Sequence, residues 1–198
     1  MIPFEDRPDE ELIEQVKLGC RNSFQALYGR YKLKLFNYFF HLLGNRESAE
    51  DCTQDLFIHL YKKAALYAPR KKFSSWFYAM AKNMAYDVLR KNKVRRASSL
   101  DSAVGPDDVS LSEKLSSPGL APDKIAESDD LVQMLRGGIS LLNEKDREVI
   151  VLCDIQELPH QEVAEILGCP AETVAVRLFR ARKRLAEILG LKDELREK

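Results

Sequence analysis

The stretch TVAVRLFRARKRL, Thr173 to Leu185, carries Arg177, Arg180, Arg182, Lys183 and Arg184 in its last nine residues and no acid. Arg177, Arg180 and Arg184 follow at three- and four-residue steps, so on a helix they share one face. A guanidinium row binds phosphate through fixed charge and can pair bidentately with guanine edges. It also reads as a solvated basic helix end, which the helix dipole favours.

A second group is Asp51, Gln54 and Asp55, the two acids one turn apart. This is a polar face for a cationic partner, or simply a solvated one. Phe57 either reinforces that face or packs inward. A third group begins with the basic loop APRKKFSS, which holds Arg70, Lys71, Lys72 and Phe73. Trp76, Asn83, Asp87 and Arg90 follow roughly along one helical face. Unstacked nucleobases need an apolar pocket, a polar group for the base edge and positive charge for the backbone. Trp76 fits core packing equally, and Asp87 can pair with Arg90 or Lys91 along the helix. The run RKNKVRR, Arg90 to Arg96, suits duplex phosphates, with a salt-sensitive and sequence-blind affinity.

Other chemistry is missing from the sequence. Cys20, Cys52, Cys153 and Cys169 form no C-x-x-C pair, and His41, His59 and His160 are equally scattered. No zinc site is expected, and the cysteines read as reduced packing residues. No nucleophile–base set or phosphate loop is visible, so neither catalysis, a cofactor nor a small-molecule substrate is expected. The Gly137–Gly138 pair falls inside a helical stretch and is expected to bend it. No run of about 18 apolar residues exists, and the acidic start MIPFEDRPDEELIEQ lacks an apolar export core. The chain therefore reads as cytoplasmic, with no membrane insertion.

These groups need helices to hold them. The 198 residues carry 31 basic and 31 acidic side chains. The balance is uneven: residues 1–96 are net +7, residues 97–134 net −6, and residues 135–198 net −1. Such asymmetry favours a polyanion partner for the first part. Residues 97–128 read as an acidic linker rich in Ser and Pro, flexible over ASSLDSAVGPDDVSLSEKLSSPGLAPDK. On either side the pattern is helical and no strand pattern appears. Asp9 is expected to cap a short helix ending before Gly19, and Asn22 with Gln25 resembles a capping box. Phe24, Leu27, Tyr28, Tyr31, Leu35, Tyr38, Phe39 and Leu42 then trace one broad apolar face. Gly44 ends that helix and Asn45 caps the next, whose inward stripe is Ala49, Thr53, Leu56, Leu60 and Ala64. A fourth helix starts near Ser74, with Phe73, Phe77, Met80, Ala81, Met84 and Val88 inward.

In the second part, Leu131, Leu135 and Ile139 form a stripe, and Asn143 caps a helix carrying Val149, Ile150 and Leu152. Val163, Ala164, Ile166 and Leu167 mark a short helix broken by Gly168. Pro170 opens a longer one, buried through Val174, Leu178, Ala181, Leu185 and Leu189. A short helix, a glycine turn and a longer basic helix constitute a helix-turn-helix, whose second helix enters the major groove. The fold class is all-α: two small helical domains, 1–96 and 129–198, joined by the linker.

The order AEDCTQDLFIHLYKK, FSSWFYAMAKNMAYDVLRK, linker, helix-turn-helix resembles the extracytoplasmic-function sigma factors of bacterial RNA polymerase. The resemblance covers almost the whole chain outside the linker. It implies a non-enzymatic, dissociable subunit that directs core RNA polymerase to promoters and opens the duplex. It places region 2 in 1–96 and region 4 in 129–198. It assigns polymerase docking to Asp51, Gln54, Asp55 and Phe57. Recognition of the −10 element falls to Arg70, Lys71, Lys72, Phe73, Trp76, Asn83 and Arg90. The −35 element falls to Thr173, Val176, Arg177, Phe179, Arg180, Arg182 and Arg184. Core polymerase, promoter DNA and an anti-sigma factor are the implied partners, and stress response the implied setting.

Two positions depart from the family pattern. Relatives usually carry a basic residue and a serine where this chain has Ala175 and Val176. Val176 can meet a thymine methyl, or Phe179, Arg180 and DNA shape can carry recognition, or region 4 binds weakly. Pro159 stands where relatives have a capping residue, at a local cost of about 1 kcal/mol. A simple helix-turn-helix regulator predicts promoter binding without polymerase and leaves AEDCTQDLF unexplained. A sigma-like decoy docks on polymerase without initiating, and Ala175 and Val176 alone favour it.

Overall fold

The structure is a computed structural model that describes residues 3–69, 72–100 and 125–191. Eight α-helices carry the described chain: α1 (Asp9–Lys17), α2 (Arg21–Leu43), α3 (Arg46–Lys63), α4 (Phe73–Leu100), α5 (Ile125–Leu141), α6 (Glu144–Ile150), α7 (His160–Leu167) and α8 (Ala171–Ile188). A π-type turn, Val151–Ile155, prolongs α6. Residues 97–100, expected in the linker, are the last turn of α4, and residues 101–124 lie outside the described residues.

Helix ends follow local chemistry, with two departures from expectation. Pro8, not Asp9, occupies the cap position of α1. Its extended backbone leads into the helix, while the Asp9 carboxylate accepts from Tyr31 Oη at 2.5 Å and pairs with Arg30. The capping box at Asn22 is not formed, because α2 already begins at Arg21 with Cys20 at its cap. Ser23 is buried there instead and donates to Gln15 Oε1 at 2.6 Å. Gly44, at φ +70°, closes α2 in the left-handed region that glycine tolerates. Asn45 then caps α3 by accepting the Ser48 amide at 2.8 Å. Asn143 does the same for α6 at 3.0 Å. Pro159 and Pro170 sit at the cap positions of α7 and α8 themselves, and neither offers a side-chain acceptor.

The N-terminal core is aromatic. Leu27, Tyr31, Leu35, Tyr38, Phe39 and Leu42 of α2 meet Ala49, Thr53, Leu56 and Leu60 of α3 and Phe73, Phe77 and Ala81 of α4. Tyr31 is edge-on to Phe73 and Phe77, with centroids 5.4 and 5.5 Å apart, a favoured geometry for aromatic quadrupoles. Thr53 can be buried because its hydroxyl donates to the Ala49 carbonyl at 2.7 Å. Met80, Met84 and Val88 are only half-buried; Tyr78 and Ala85 are more deeply enclosed because α7 packs on another side of α4.

The C-terminal helices rest against this bundle. Leu131 and Leu135 are exposed, contrary to the expected inward stripe. Among the α5 side chains described from residue 130 on, Gly138 and Ile139 are enclosed, followed by Leu142 just past the helix, beside α2 and α8. As expected, the glycine pair lies inside a helix, and α5 runs through both residues. Gly138 serves close approach: a Cβ there would lie 2.7 Å from a Leu189 methyl. Arg147 donates to the carbonyls of Ile139, Ser140, Leu142 and, at 3.0 Å, Leu42, tying the α5–α6 turn to the end of α2. Buried Glu148 accepts from Tyr86 Oη at 2.8 Å and Tyr38 Oη at 3.4 Å. Burial pushes its carboxyl upward; the two tyrosines and the charges of Lys82 and Arg177 act against that shift.

The caps can be separated by mutation. Asn45→Ala is expected to cost about 1 kcal/mol, whereas exposed Asn22→Ala stays within about 0.5 kcal/mol; denaturant midpoints at unchanged slope measure both. His41 supplies a pH test. Burial, then Arg136 and Arg147, lower its pKa to about 4, so the folded chain holds it neutral while the unfolded chain protonates near 6.5. Stability from this site is full above pH 6.5 and falls as the pH drops towards 4. At pH 5, His41→Gln should recover about 1 kcal/mol relative to its effect at pH 7.5, in paired urea titrations.

Candidate functional site

On α3, the core claims Ala49, Thr53, Leu56 and Leu60, which turns Asp51, Gln54 and Asp55 outward. Glu50 is held by Arg46 at 2.8 Å, one turn back. The acidic face continues into Ile58 and Tyr61, both about half exposed or more. Sequence reading missed these two, although their three-residue steps from Asp55 place them on the same face. Phe57 is not part of that surface. It is buried among Phe24, Tyr28 and Phe77, with its ring 4.7 Å from that of Tyr28.

On α4, Phe73 is fully buried, so its ring belongs to the core and not to a base pocket. Trp76 is half-buried, with its ring 5.3 Å from Tyr67 and 6.1 Å from Phe73. Asn83, Asp87 and Arg90 are exposed on one side of the helix, and Arg90 pairs with Asp87. Lys72 is exposed just before the helix; Arg70 and Lys71 lie outside the described residues. The run from Arg90 is helical, and Lys91, Lys93 and Arg95 are exposed on it. Lys93 reaches Glu144 of α6 at 2.7 Å.

On α8, Val174, Leu178 and Ala181 are buried against α6 and α7, so the opposite side is presented outward. Gly168, at φ +67°, turns the chain between α7 and α8. Val176 is 51% exposed and Phe179 70%, an apolar pair one turn apart beside exposed Arg180 and Lys183. Thr173 is half-exposed at the start of the helix. Two of the other guanidinium groups are engaged within the chain. Arg182 makes two bonds to Asp154, at 3.0 and 2.5 Å, and Arg184 pairs with buried Asp146. Arg177 is half-buried, and its charge acts against the upward shifts that burial imposes on Glu148 and Tyr86. The five cations are therefore not equivalent: Arg182 and Arg184 are ion-paired within the chain, Arg177 is half-buried, and Arg180 and Lys183 belong to the open face.

Among the described residues, no His, Cys, Asp and Glu group has the geometry to hold a metal ion. All four cysteines are free thiols. Burial pushes Cys52 and Cys153 up to about 11, so neither is a poised nucleophile. No described helix is long and apolar enough to cross a membrane.

Comparison with known proteins agrees with this layout. Residues 27–95 match the family description "Sigma-70 region 2" and residues 133–185 match "Sigma-70, region 4". The chain is 34% identical to the ECF RNA polymerase sigma factor SigW of Bacillus subtilis over 178 residues, covering 89% of this chain and 94% of that protein. It is 28% identical to the ECF RNA polymerase sigma-E factor of Escherichia coli, covering 90% and 93%. In fold it is similar to CnrH in complex with the cytosolic domain of CnrY (TM-score 0.65, 22% identity, 92% and 97% covered). The sigma factor RpoE of Bartonella quintana, in complex with the anti-sigma factor NepR, is similar at the same TM-score (23% identity, 85% and 97% covered). With its helix-turn-helix, its region 2 bundle and a relative this similar along nearly its full length, the chain belongs to the extracytoplasmic-function sigma factors of the sigma-70 family.

Proposed function

We propose that this chain docks on core RNA polymerase through the outer face of α3 and directs it to promoters with α4 and α8. It is an alternative sigma factor, a transcription initiation factor and not an enzyme. The observation that carries the site assignment is the outward turn of three separate polar faces from one helical scaffold. The α3 face is acidic with an apolar end, suited to a cationic and partly apolar protein surface. The α4 face runs from Lys72 and half-buried Trp76 through Asn83 to Arg90, suited to an unpaired strand. Residues 1–96 then act as the −10 half and 129–198 as the −35 half. The sigma–anti-sigma pairing seen in the similar B. quintana complex supports an anti-sigma factor as a further partner.

On α8, recognition rests on the apolar pair as much as on charge. Val176 and Phe179 are the exposed side chains that α8 presents beside Arg180, and thymine is the base with a methyl group in the major groove. Arg180 and Lys183 supply phosphate contacts around them. In this reading Ala175 and Val176 replace polar contacts with methyl readout.

Run-off transcription with core polymerase on genomic promoters tests the function. Defined transcripts are expected, and Asp51→Lys with Asp55→Lys should abolish both transcripts and co-purification with core while helicity is retained. Core binding without any transcript would instead support the decoy. Methyl readout is tested with promoters carrying deoxyuridine for thymine in the upstream element. Each contacted methyl should cost holoenzyme affinity about fourfold. Val176→Ala or Phe179→Ala should remove that sensitivity at one position. Unchanged affinity on every uracil substitution would assign recognition to Arg180 and DNA shape.

A further inference from the structure

Two ion pairs flank the open face of α8. At about 100° per residue, Arg182 lies roughly 60° from Phe179 on the side away from Arg180, and Arg184 lies roughly 40° beyond Arg180. The face of Val176, Phe179, Arg180 and Lys183 is therefore bordered by one paired arginine on each side. A helix about 10–12 Å across fills a major groove about 12 Å wide. Its centre then meets base edges, and its flanks meet the two phosphate backbones. The flanking arginines are placed for phosphate, yet each already holds a carboxylate of this chain.

The two pairs answer different needs. Asp146 is buried, with a side chain 8% exposed, and it also accepts from Asn143 Nδ2 at 2.6 Å. An enclosed carboxylate needs its cation, so Arg184 is committed by the fold. Asp154 is exposed, in the π-type turn that prolongs α6. Turns of this type are uncommon and cluster at functional positions. Water can solvate Asp154, so its pairing answers no demand of burial. It nevertheless takes Arg182 by a fork: Nε donates to Oδ2 at 3.0 Å and Nη2 to Oδ1 at 2.5 Å. Carboxylate and phosphate accept a guanidinium in the same two-bond geometry. Asp154 thus stands where a phosphate would on Arg182, whose side chain is 58% exposed.

We propose that Asp154 is a built-in counter-ion that withholds Arg182 from the phosphate backbone and so limits the sequence-blind affinity of α8. The proposal rests on α8 reading the upstream element, as argued above. The Asp154 carboxylate is in place before any duplex arrives, whereas a phosphate must displace it and approach a like charge. Phosphate contact is left to Arg180 and Lys183. Such a contact strengthens binding to every sequence alike, while contacts to base edges discriminate. Holding one phosphate contact back shortens residence on unrelated duplex and leaves discrimination unchanged.

The test compares holoenzymes built with the full-length wild type, Asp154→Ala, Arg182→Ala and the double variant, each checked for helicity. Each binds a promoter found by run-off transcription, and the same duplex with its upstream element scrambled, between about 50 and 200 mM salt. Asp154→Ala should bind both duplexes several-fold more tightly and lose affinity more steeply with salt. One added phosphate contact changes the slope by about 0.9, a further loss of about 3.5-fold over that range. Arg182→Ala alone should match the wild type, and the double variant should lose the gain of Asp154→Ala. Weaker binding or an unchanged slope for Asp154→Ala overturns the proposal. So does a gain confined to the intact promoter, which would make Arg182 a base reader. A gain that persists in the double variant overturns it too, because repulsion by Asp154 would then suffice. If Asp154→Ala does not fold, Arg182→Ala decides: a slope reduced by about 1 shows that Arg182 already meets phosphate. A wild type that does not distinguish the two duplexes removes upstream reading by α8, and the proposal with it. Discrimination with an unchanged slope for Asp154→Ala removes the counter-ion alone.

Discussion

The carboxylate of Glu148 is an acid enclosed where α2, α4 and α6 meet, and an enclosed charge must be satisfied or neutralised. Its donors come from two helices of the N-terminal half. The same solution recurs on α2, where Tyr31 donates to Asp9 of α1. Tyr31 and Tyr38 are seven residues apart and so share a face of α2. That helix thus presents one hydroxyl to the chain before it and one to the chain far after it. Their rings fill the aromatic core while their oxygens reach beyond it, which joins packing and orientation in the same side chains.

Much of this was legible in the sequence because periodicity reports burial directly. The stripes of α2 and α3, the Gly44 stop, and the Asn45 and Asn143 caps follow from local rules that tertiary contacts did not override. Asp9 and Asn22 are not caps for a local reason: Asp9 is already the first residue of α1, and α2 starts at Arg21, one residue before Asn22. The Leu131–Leu135 stripe was misread for a tertiary one, since periodicity identifies a face but not whether a neighbour reaches it. Phe57 and Phe73 show the converse. Both adjoin polar functional patterns, yet the core takes their rings. Glu148 had no sequence signal, because its partners are 110 and 62 positions away.

The basic content of α8 also gains meaning only in three dimensions. Counted along the sequence, Arg177, Arg182 and Arg184 are equal to Arg180. In the structure, two of them fasten α8 to Asp154 and Asp146, which fixes the angle at which Val176, Phe179 and Arg180 are presented. A rigid presentation lowers the ordering cost of binding. Orientation and contact are thus divided among residues of the same type.

One feature of α4 sets a length scale. The helix is continuous from Phe73 to Leu100, with its first half anchored in the core and a basic run from Arg90 to Arg96 before its last turn. Trp76 and Arg90 are fourteen positions apart on this rod, a rise of about 21 Å. That distance equals roughly six base-pair steps of duplex. With no glycine or proline between them, the rod has no hinge, and under the proposed assignment a strand held near Trp76 and phosphates met by Arg90 would be kept in a fixed register. The bundle can therefore act as a ruler, setting how far from the opened bases the intact double helix must resume.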